Sequence, residues 1–135
     1  MQSSNPTRGQ VERALGQRVQ ALYRDRTGQR PEKVTCQFFD EKLAIVLEQI
    51  LTPAEQFLIE SNHLDLAKQF RSTLESILKP EIIALIEELA EAPVLNVLSD
   101  TDLNSGCSAM VAILKDIPSV RDPESIPKVK REKLS

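Results

Sequence analysis

The sequence predicts an α+β fold: a single domain over residues 1–115, with elements in the order α-β-β-α-α-β-β and helices packed on one face of a four-stranded antiparallel sheet. Three observations carry this prediction. Apolar residues recur at helical spacing over 7–27 and again from Leu66 to Leu89. Four short runs rich in β-forming residues occur as two adjacent pairs, and each pair indicates a hairpin. A helix start at Thr52 separates the first pair from the long helical region.

The first helix is followed by the first hairpin. Residues 7–27 carry one apolar stripe, and Gly28 suits the left-handed conformation that ends many helices. The stripe consists of Val11, Ala14, Leu15, Val19, Leu22 and Tyr23. Residues 34–39 then read as a strand, Asp40-Glu41 as a short polar turn and 43–47 as a second strand. The turn lacks an Asn-Gly type of signal, so the sequence leaves its type open.

A short helix starts at Thr52 and is predicted to end near residue 60. Thr52 is a good helix cap, Pro53 suits the first helical position, and Glu55 is placed to reach back to the backbone of the cap. Helix capping explains the polar residues Thr52 and Glu55 without any further function.

A long helical stretch follows, with an apolar stripe that we expect to face the core. The stripe begins with Leu66, Phe70, Leu74, Ile77 and Leu78. Pro80 interrupts this pattern. A proline inside a helix removes one backbone hydrogen bond and costs about 3 kcal/mol, so a kink or a new helix start is expected at Pro80.

The second hairpin is predicted from strands at 94–98 and 107–114, joined by turn-forming residues over 99–106. From Asp116 the chain is polar, charged and interrupted by prolines. It offers few apolar residues for packing, so residues 116–135 are predicted to form a flexible tail.

Both faces of the predicted sheet are more apolar than a solvated face would be. Along the second and fourth strands, apolar residues occupy both sets of alternating positions, as in Ile45 beside Val46 and Met110 beside Val111. We therefore expect the second face to be covered, most simply by a second copy of the chain in a homodimer. The alternative is a moderately apolar face that stays exposed.

Composition excludes several classes of protein. A chain of 135 residues is long enough to bury a core without a disulfide or structural metal. Cys36 and Cys107 lack the spacing of a zinc or redox pair and read as buried, reduced thiols. No apolar run approaches the roughly 20 residues that cross a bilayer, and the first residues do not resemble a signal peptide. We expect a cytoplasmic protein, peripheral at the inner face of the membrane if it contacts a membrane at all, with no direct membrane insertion.

Charge is unevenly distributed, although the net charge is only −3. The first thirty residues are rich in arginine, the middle of the chain is acidic and the last eight residues are basic. The small negative net charge disfavours general nucleic-acid binding. An RNA-binding module that uses the first helix is retained as a second alternative function.

No catalytic or metal-binding constellation stands out. Asp100 and Asp102, with Asn104 nearby, are placed either to shape a turn or to supply some of the roughly six oxygen ligands of a hard cation. His63 is the single histidine and reads as a surface residue. Phosphate-binding glycine loops and nucleophile–histidine pairs do not appear in the sequence. We therefore expect a non-enzymatic protein without a cofactor or a metal site.

Several segments together resemble the MpsC-like family. They are Leu-Thr-Pro-Ala-Glu-Gln-Phe-Leu (51–58), Phe70-Arg71 with Leu74, Ile86-Glu87 and Val-Leu-Ser-Asp-Thr-Asp (97–102). The resemblance extends over roughly 7–115. The chain departs from the family pattern at Ala92-Pro93, where the family often has a glycine. The resemblance implies association with a membrane-potential-generating, cation-translocating system linked to inorganic-carbon supply, and it carries no catalytic residue to this chain.

These observations favour a non-enzymatic accessory or regulatory protein that docks on a membrane cation or bicarbonate transport system, with a transporter subunit as a possible partner. The alternative is a domain that senses a small anion or ion through the Ser99–Asp102 loop and the N-terminal arginines. The candidate ligand or partner residues are Arg71, Ser99, Asp100 and Asp102.

Overall fold

The computed structural model describes residues 5–129 and confirms the predicted fold class and element order. The elements are α1 (Arg8–Thr27), β1 (Lys33–Phe39), β2 (Lys42–Glu48), α2 (Pro53–Glu60), α3 (Leu64–Ala90), β3 (Val94–Asp102), β4 (Cys107–Leu114) and a 3₁₀ turn (Pro123–Ser125).

The four strands form one antiparallel sheet in the order β1-β2-β4-β3. Each hairpin pairs its own strands, and the two hairpins join where Leu47 of β2 pairs with Ser108 of β4. Helix α1 lies close to β1, since a Cβ added to Gly16 would stand 3.2 Å from the carbonyl oxygen of Val34. In addition, the Phe38 N–H of β1 donates to Glu12 of α1 over 2.9 Å. Helix α1 therefore covers the free edge of β1.

One face of the sheet forms the core with α1 and α3. Alternate residues of β1, β2 and β4 are buried on this side, together with Val97 of β3, and they pack with the apolar stripe of α1 and the second half of α3. The largest fully buried side chains include Tyr23, Phe38, Leu43, Ile45 and Ile86.

The opposite side of the sheet, here called the outer sheet face, is not covered by any described segment. It consists of the cross-strand rows Thr35–Val46–Ala109–Asp100, Gln37–Ala44–Val111–Leu98 and Phe39–Lys42–Ile113–Asn96. All of these residues are exposed or half-buried, and Leu98 is 61% exposed. The centre of this face is apolar, as the sequence indicates. Its cover by a second copy stays a prediction.

Strand β3 is longer than predicted. The sequence places Ser99–Asp102 in a turn, but these residues continue β3 and pair with Met110, Ala109, Ser108 and Cys107. The turn is confined to residues 103–106. Eight-residue β4 offers a paired backbone along its whole length, and this pairing outweighs the low strand propensity of serine and aspartate.

Helix α3 corrects two expectations. It is one helix of 27 residues that continues through Pro80, so the predicted new helix start does not occur. The Pro80 side chain is exposed. Three of the five residues that begin the predicted core stripe also lie on the surface: Leu66, Phe70 and Ile77 are 50%, 40% and 64% exposed, whereas Leu74 and Leu78 pack on the core as predicted. The first half of α3 instead buries Ala67 and Arg71.

The segment after β4 packs on the domain, which differs from the predicted flexible tail over its described part, 116–129. Val120 and Ile126 are buried in the core. The Arg8 N–H donates to Asp122 over 2.7 Å, and the Asp40 N–H donates to the carbonyl of Pro127 over 2.8 Å. Two well-placed apolar residues and backbone hydrogen bonds thus hold a segment of otherwise polar composition. The remainder of the predicted tail, residues 130–135, lies outside the described residues.

Candidate functional site

A groove of about 570 Å³ lies between the first half of α3 and the end of β3. All four candidate residues from the sequence line it, namely Arg71, Ser99, Asp100 and Asp102. The other lining residues are Leu64, Lys68, Ser72, Glu75, Ser76, Lys79, Thr101, Leu103 and Asn104. The structure therefore places all four sequence-predicted residues at the border of one groove.

The strand wall of the groove is set by the alternation of β3. Ser99 and Thr101 pair with Met110 and Ser108, which are buried, so Ser99 and Thr101 lie on the helix-facing side of the sheet. The Thr101 hydroxyl donates to Ser108 Oγ over 3.0 Å. Asp100 belongs to the outer sheet face, and Asp102 shares its side by alternation. The two aspartates and the two hydroxyl residues therefore lie on opposite sides of β3.

The aspartates make local contacts. Asp100 Oδ1 accepts the Thr101 N–H over 2.9 Å, and Asp102 Oδ1 accepts the Asn104 N–H over 3.2 Å. Among the described residues, no group of three or more His, Cys, Asp or Glu side chains is arranged to hold a metal ion. His63, the residue before α3, is exposed and does not line the groove.

The helix wall presents two lysines and two serines. Lys68, Ser72, Ser76 and Lys79 follow one another at spacings of four, four and three residues, which places them along one side of α3. The Ser76 hydroxyl donates to the carbonyl of Ser72 over 3.0 Å. Neither lysine forms a salt bridge within the described part of the chain. This wall offers positive charge and hydroxyl groups to a polar ligand.

Arg71 forms the floor between the groove and the core. Its guanidinium makes a two-point ion pair with Glu55, with Nε to Oε2 at 2.7 Å and Nη2 to Oε1 at 2.5 Å. Nη1 donates to Glu75 over 2.9 Å, and Nη2 also donates to the carbonyl of Ile50 over 3.0 Å. Arg71 and Glu55 are both buried. Through these hydrogen bonds Arg71 joins helix α3 to helix α2 and to the loop that precedes α2. Its donors serve this internal network.

Glu55 combines two roles. Thr52 and Glu55 form a capping box at the start of α2: Thr52 Oγ1 accepts the Glu55 N–H, and Glu55 Oε1 accepts the Thr52 N–H over 2.9 Å. Burial by itself raises the pKa of the Glu55 carboxyl, but hydrogen bonds from Arg71 and Thr52 outweigh burial and hold that pKa below its ordinary value of 4.5. Glu55 is therefore a carboxylate at neutral pH.

The network extends from Arg71 to the first helix. Glu75 accepts a hydrogen bond from Arg71 and another, over 2.8 Å, from the phenol of Tyr23 in α1. Burial, together with the negative charge of Glu75, raises the pKa of the Tyr23 phenol, so Tyr23 remains a neutral donor. A chain of hydrogen bonds thus runs through Thr52, Glu55, Arg71, Glu75 and Tyr23, and joins all three helices.

Comparison with known families gives a match that covers most of the chain. Residues 7–116 match a family model described as "Na+-translocating membrane potential-generating system (MpsC)". The chain belongs to the MpsC family. Neither the comparison with curated proteins nor that with solved structures finds a match. The match to the family model confirms the resemblance seen in the sequence. None of the helices within residues 5–129 is long and apolar enough to cross a membrane.

In this MpsC chain the N-terminal arginines lie away from the groove. Arg18 pairs with Glu88 at 3.0 Å and Arg26 with Glu81 at 2.6 Å, so these arginines of α1 meet carboxylates of α3. No residue of α1 is among those that line the groove. The N-terminal arginines and Ser99–Asp102 are therefore not assembled around one small anion. The RNA-binding alternative relies on a basic face of α1, and Glu88 and Glu81 of α3 neutralise Arg18 and Arg26 of that helix.

Several groove residues were missed by the sequence interpretation. Lys68, Ser72, Ser76 and Lys79 carried a usable signal, since a polar stripe at helical spacing runs beside the apolar one. Glu75 carried a weaker signal, its position four residues after Arg71. Glu55 and Arg71 are sixteen positions apart, so the sequence gives no local signal for their ion pair.

Proposed function

We propose that this MpsC-family protein is a non-enzymatic accessory or regulatory protein that docks on a membrane cation-translocating system. Membership of the family over residues 7–116 is the observation that carries the proposal, because the family description refers to a Na+-translocating, membrane-potential-generating system. We extend the proposal to inorganic-carbon supply, as the resemblance in the sequence implies. The protein would then work in the cytoplasm, at the inner face of the membrane.

The outer sheet face is the surface that we propose for this docking. Its apolar centre includes Val46, Val111 and Ile113 on the two central strands; at the margins lie Leu98 on edge strand β3 and the polar Gln37 on edge strand β1. An apolar centre within a polar margin is typical of protein interfaces. Each square ångström of apolar surface removed from water there would contribute about 25 cal/mol. A second copy of the chain, the cover predicted from the sequence, is the competing occupant.

The test is co-purification from membranes. A tagged wild-type protein, expressed in a cell that contains the family's transport system, is cross-linked and purified from solubilised membranes. We expect membrane proteins to be recovered with the wild type and to be lost with Leu98→Asp. The matched control is Ile77→Asp, because Ile77 is 64% exposed, close to the 61% of Leu98, but lies on α3. Recovery of non-membrane proteins alone, or equal recovery with Leu98→Asp, would contradict the proposal.

A second candidate function is binding of a small anion in the groove. Lys68 and Lys79, which form no salt bridge within residues 5–129, and the hydroxyl of Ser99 favour it, in place of the N-terminal arginines. Thermal unfolding in the presence of bicarbonate or phosphate tests this candidate. We expect a rise in Tm that disappears in Lys68→Ala/Lys79→Ala. An unchanged Tm with both anions would remove the candidate.

A further inference from the structure

The groove between α3 and β3 runs along a free edge of the sheet. Strand β3 is the last strand in the order β1-β2-β4-β3, and no described strand pairs with its other side. Four consecutive residues of β3, Ser99–Asp102, line the groove. Because alternate side chains of a strand point to opposite faces, a space that borders all four must extend along the edge of β3. The groove therefore gives access to the backbone of this edge as well as to side chains.

The backbone along this edge can form further hydrogen bonds. The Thr101 N–H donates to Asp100 Oδ1 over 2.9 Å and so points away from β4. In an antiparallel pair, alternate residues direct both backbone groups away from the partner strand, so the N–H and carbonyl groups of Ser99 and Val97 point to the same edge as those of Thr101. The outer edge of β1, by contrast, is covered by α1. Strand β3 is therefore the edge at which another strand can be added to the sheet.

The helix wall of the groove determines the charge of a segment that fits it. Lys68 and Lys79 line the groove, are exposed and form no salt bridge within the described part of the chain. They lie on one side of α3 about three turns apart, roughly 16 Å at 1.5 Å per residue. Glu75 lies between them, but its carboxylate accepts hydrogen bonds from Arg71 and Tyr23. The wall therefore favours acidic side chains.

Backbone and charge together point to one occupant. The helix wall from Leu64 to Lys79 is about 22 Å long, the length of six or seven extended residues. A strand added to β3 places every second side chain on the helix-facing side. We propose that an extended segment of another protein, acidic at alternate positions, pairs its backbone with β3 and directs its carboxylates to Lys68 and Lys79. Its other side chains lie beside Leu98 and Asp100 and are not acidic.

A second copy of this chain fits the edge less well. Two β3 strands that pair about a two-fold axis would present their own Val97, Ser99 and Thr101 to the helix wall, because directly paired residues share a face. None of these residues is acidic, so the lysines of the wall would remain without partners. Asp100 and Asp102 of both copies would lie on the opposite face, where like charges repel. Charge complementarity therefore favours a different protein as the source of the strand.

This proposal is separate from both candidates for the function. It concerns a surface other than the outer sheet face and does not depend on the docking proposal. It shares two lysines with the small-anion candidate, so its test must distinguish a peptide from a small anion. The groove volume of about 570 Å³ lies within the roughly 300–1,000 Å³ of sites that hold drug-sized ligands, which are much larger than bicarbonate.

Fluorescence anisotropy with a labelled peptide, Thr-Asp-Val-Asp-Val-Asp-Thr, tests the proposal. The matched control peptide, Thr-Asp-Asp-Asp-Val-Val-Thr, has the same composition and charge but does not alternate. We expect the first peptide to bind and the second to bind at least about tenfold more weakly, because its carboxylates would be divided between the two faces of the added strand. Equal binding of the two peptides, or no binding of the first up to about 1 mM, would overturn the proposal.

N-methylation of the alternating peptide separates backbone pairing from attraction between charges. One derivative carries methyl groups on its aspartate amides and another on its valine amides, and these two sets of N–H groups point to opposite edges of the extended peptide. One set must face β3, so at least one derivative should bind about tenfold more weakly or worse. If both derivatives bind like the parent peptide, the peptide does not add to the sheet and the proposal is wrong.

Variants of the protein test the two walls of the groove. Lys68→Ala/Lys79→Ala should weaken binding of the alternating peptide by about tenfold. Ser99→Pro should weaken it as strongly, because proline removes an N–H that faces the free edge and leaves the pairing of β3 with β4 intact. The matched control, Lys33→Ala/Lys115→Ala, removes two exposed lysines elsewhere and should bind like the wild type. Circular dichroism establishes that each variant is folded.

Unchanged binding in the variant of the groove lysines, or in a folded proline variant, would contradict the proposal. So would a rise in Tm with bicarbonate or phosphate and no binding of the alternating peptide, because the groove would then be a site for a small anion. None of these results would affect the docking proposal, which is tested on the outer sheet face.

Discussion

Replacing Arg71 with methionine should be among the most destabilising single substitutions in this domain. Methionine keeps much of the length of the side chain but removes every hydrogen bond that the guanidinium makes. The carboxylate of Glu55, 0% exposed, would keep its contacts with Thr52 but lose its only ion-pair partner among the described residues. Glu75 would retain the hydrogen bond from Tyr23.

The expected cost is about 3–5 kcal/mol at pH 7, because breaking a buried ion pair leaves a buried charge without compensation. For a domain of this size each kcal/mol lowers Tm by roughly 3–5 °C, so a fall on the order of 10 °C or more is expected. The pair itself contributes less than this figure, since removing both charges avoids the buried charge. The double variant Glu55→Gln/Arg71→Met should therefore recover a large part of the loss.

The effect should depend on pH in a defined direction. In the wild type the pKa of Glu55 is below 4.5, so its stabilising contribution is present above pH 4.5 and is lost as pH falls through the folded-state pKa. In the Arg71→Met variant, burial is the dominant effect on the Glu55 carboxyl and raises its pKa above the value in the unfolded chain. The variant then gains stability as pH falls from neutral towards 4.5, and the gap to the wild type narrows.

Urea unfolding of the wild type, both single variants and the double variant between pH 4.5 and 7.5 measures these quantities. Glu55→Gln keeps a side-chain oxygen for the cap of α2 and separates the loss of charge from the loss of capping. The reasoning would be refuted if Arg71→Met lowers the free energy of unfolding by less than about 1 kcal/mol at pH 7. It would also be refuted if the difference in unfolding free energy between wild type and variant does not change with pH.

Three further predictions concern packing and reactivity. Ile126→Ala should cost about 2–5 kcal/mol of unfolding free energy because Ile126 is buried, whereas Ile117→Ala, at an exposed site, should cost less than about 0.5; equal costs in urea unfolding would contradict the packing of this segment. Pro80→Ala should raise Tm, since alanine restores a helical hydrogen bond worth up to about 3 kcal/mol, and an unchanged or lower Tm would show that the helix has already adapted to the proline. Cys107 should react with iodoacetamide well before Cys36, because burial and, to a smaller extent, the charge of Glu12 raise the pKa of the Cys36 thiol to about 12. Mass spectrometry of partly labelled protein measures both rates, and equal rates would contradict this prediction.

The order of elements could be predicted because its signals are local. The cap at Thr52, the glycine after α1 and the period of apolar residues each depend on a few neighbouring positions. The end of β3 could not be predicted in this way, since Asp100 and Asp102 favour turns by themselves. Their strand conformation comes from pairing with Ala109 and Cys107.

Periodicity also does not say which side of a helix meets the core. In α3 the stripe that starts with Leu66 is as regular as a core stripe, yet the core side is set by Leu78, Ile82 and Ile86 further along. For the same reason, the groove was only partly predicted. Arg71 was singled out by its place in the family pattern, but its burial depends on a partner sixteen positions away.

The contact between Asp122 and the start of α1 has a consequence for the order of folding. The first turn of α1 contains no acidic residue of its own, and Asp122 supplies a carboxylate there from 114 positions further along the chain. Thr7 and Gln10 form a local capping box at this end, so Asp122 adds one more hydrogen bond and its charge to a helix that is already capped. A nascent chain halted before Asp122 should therefore have a capped but less stable first helix, and folding should end with a step that joins both ends of the domain.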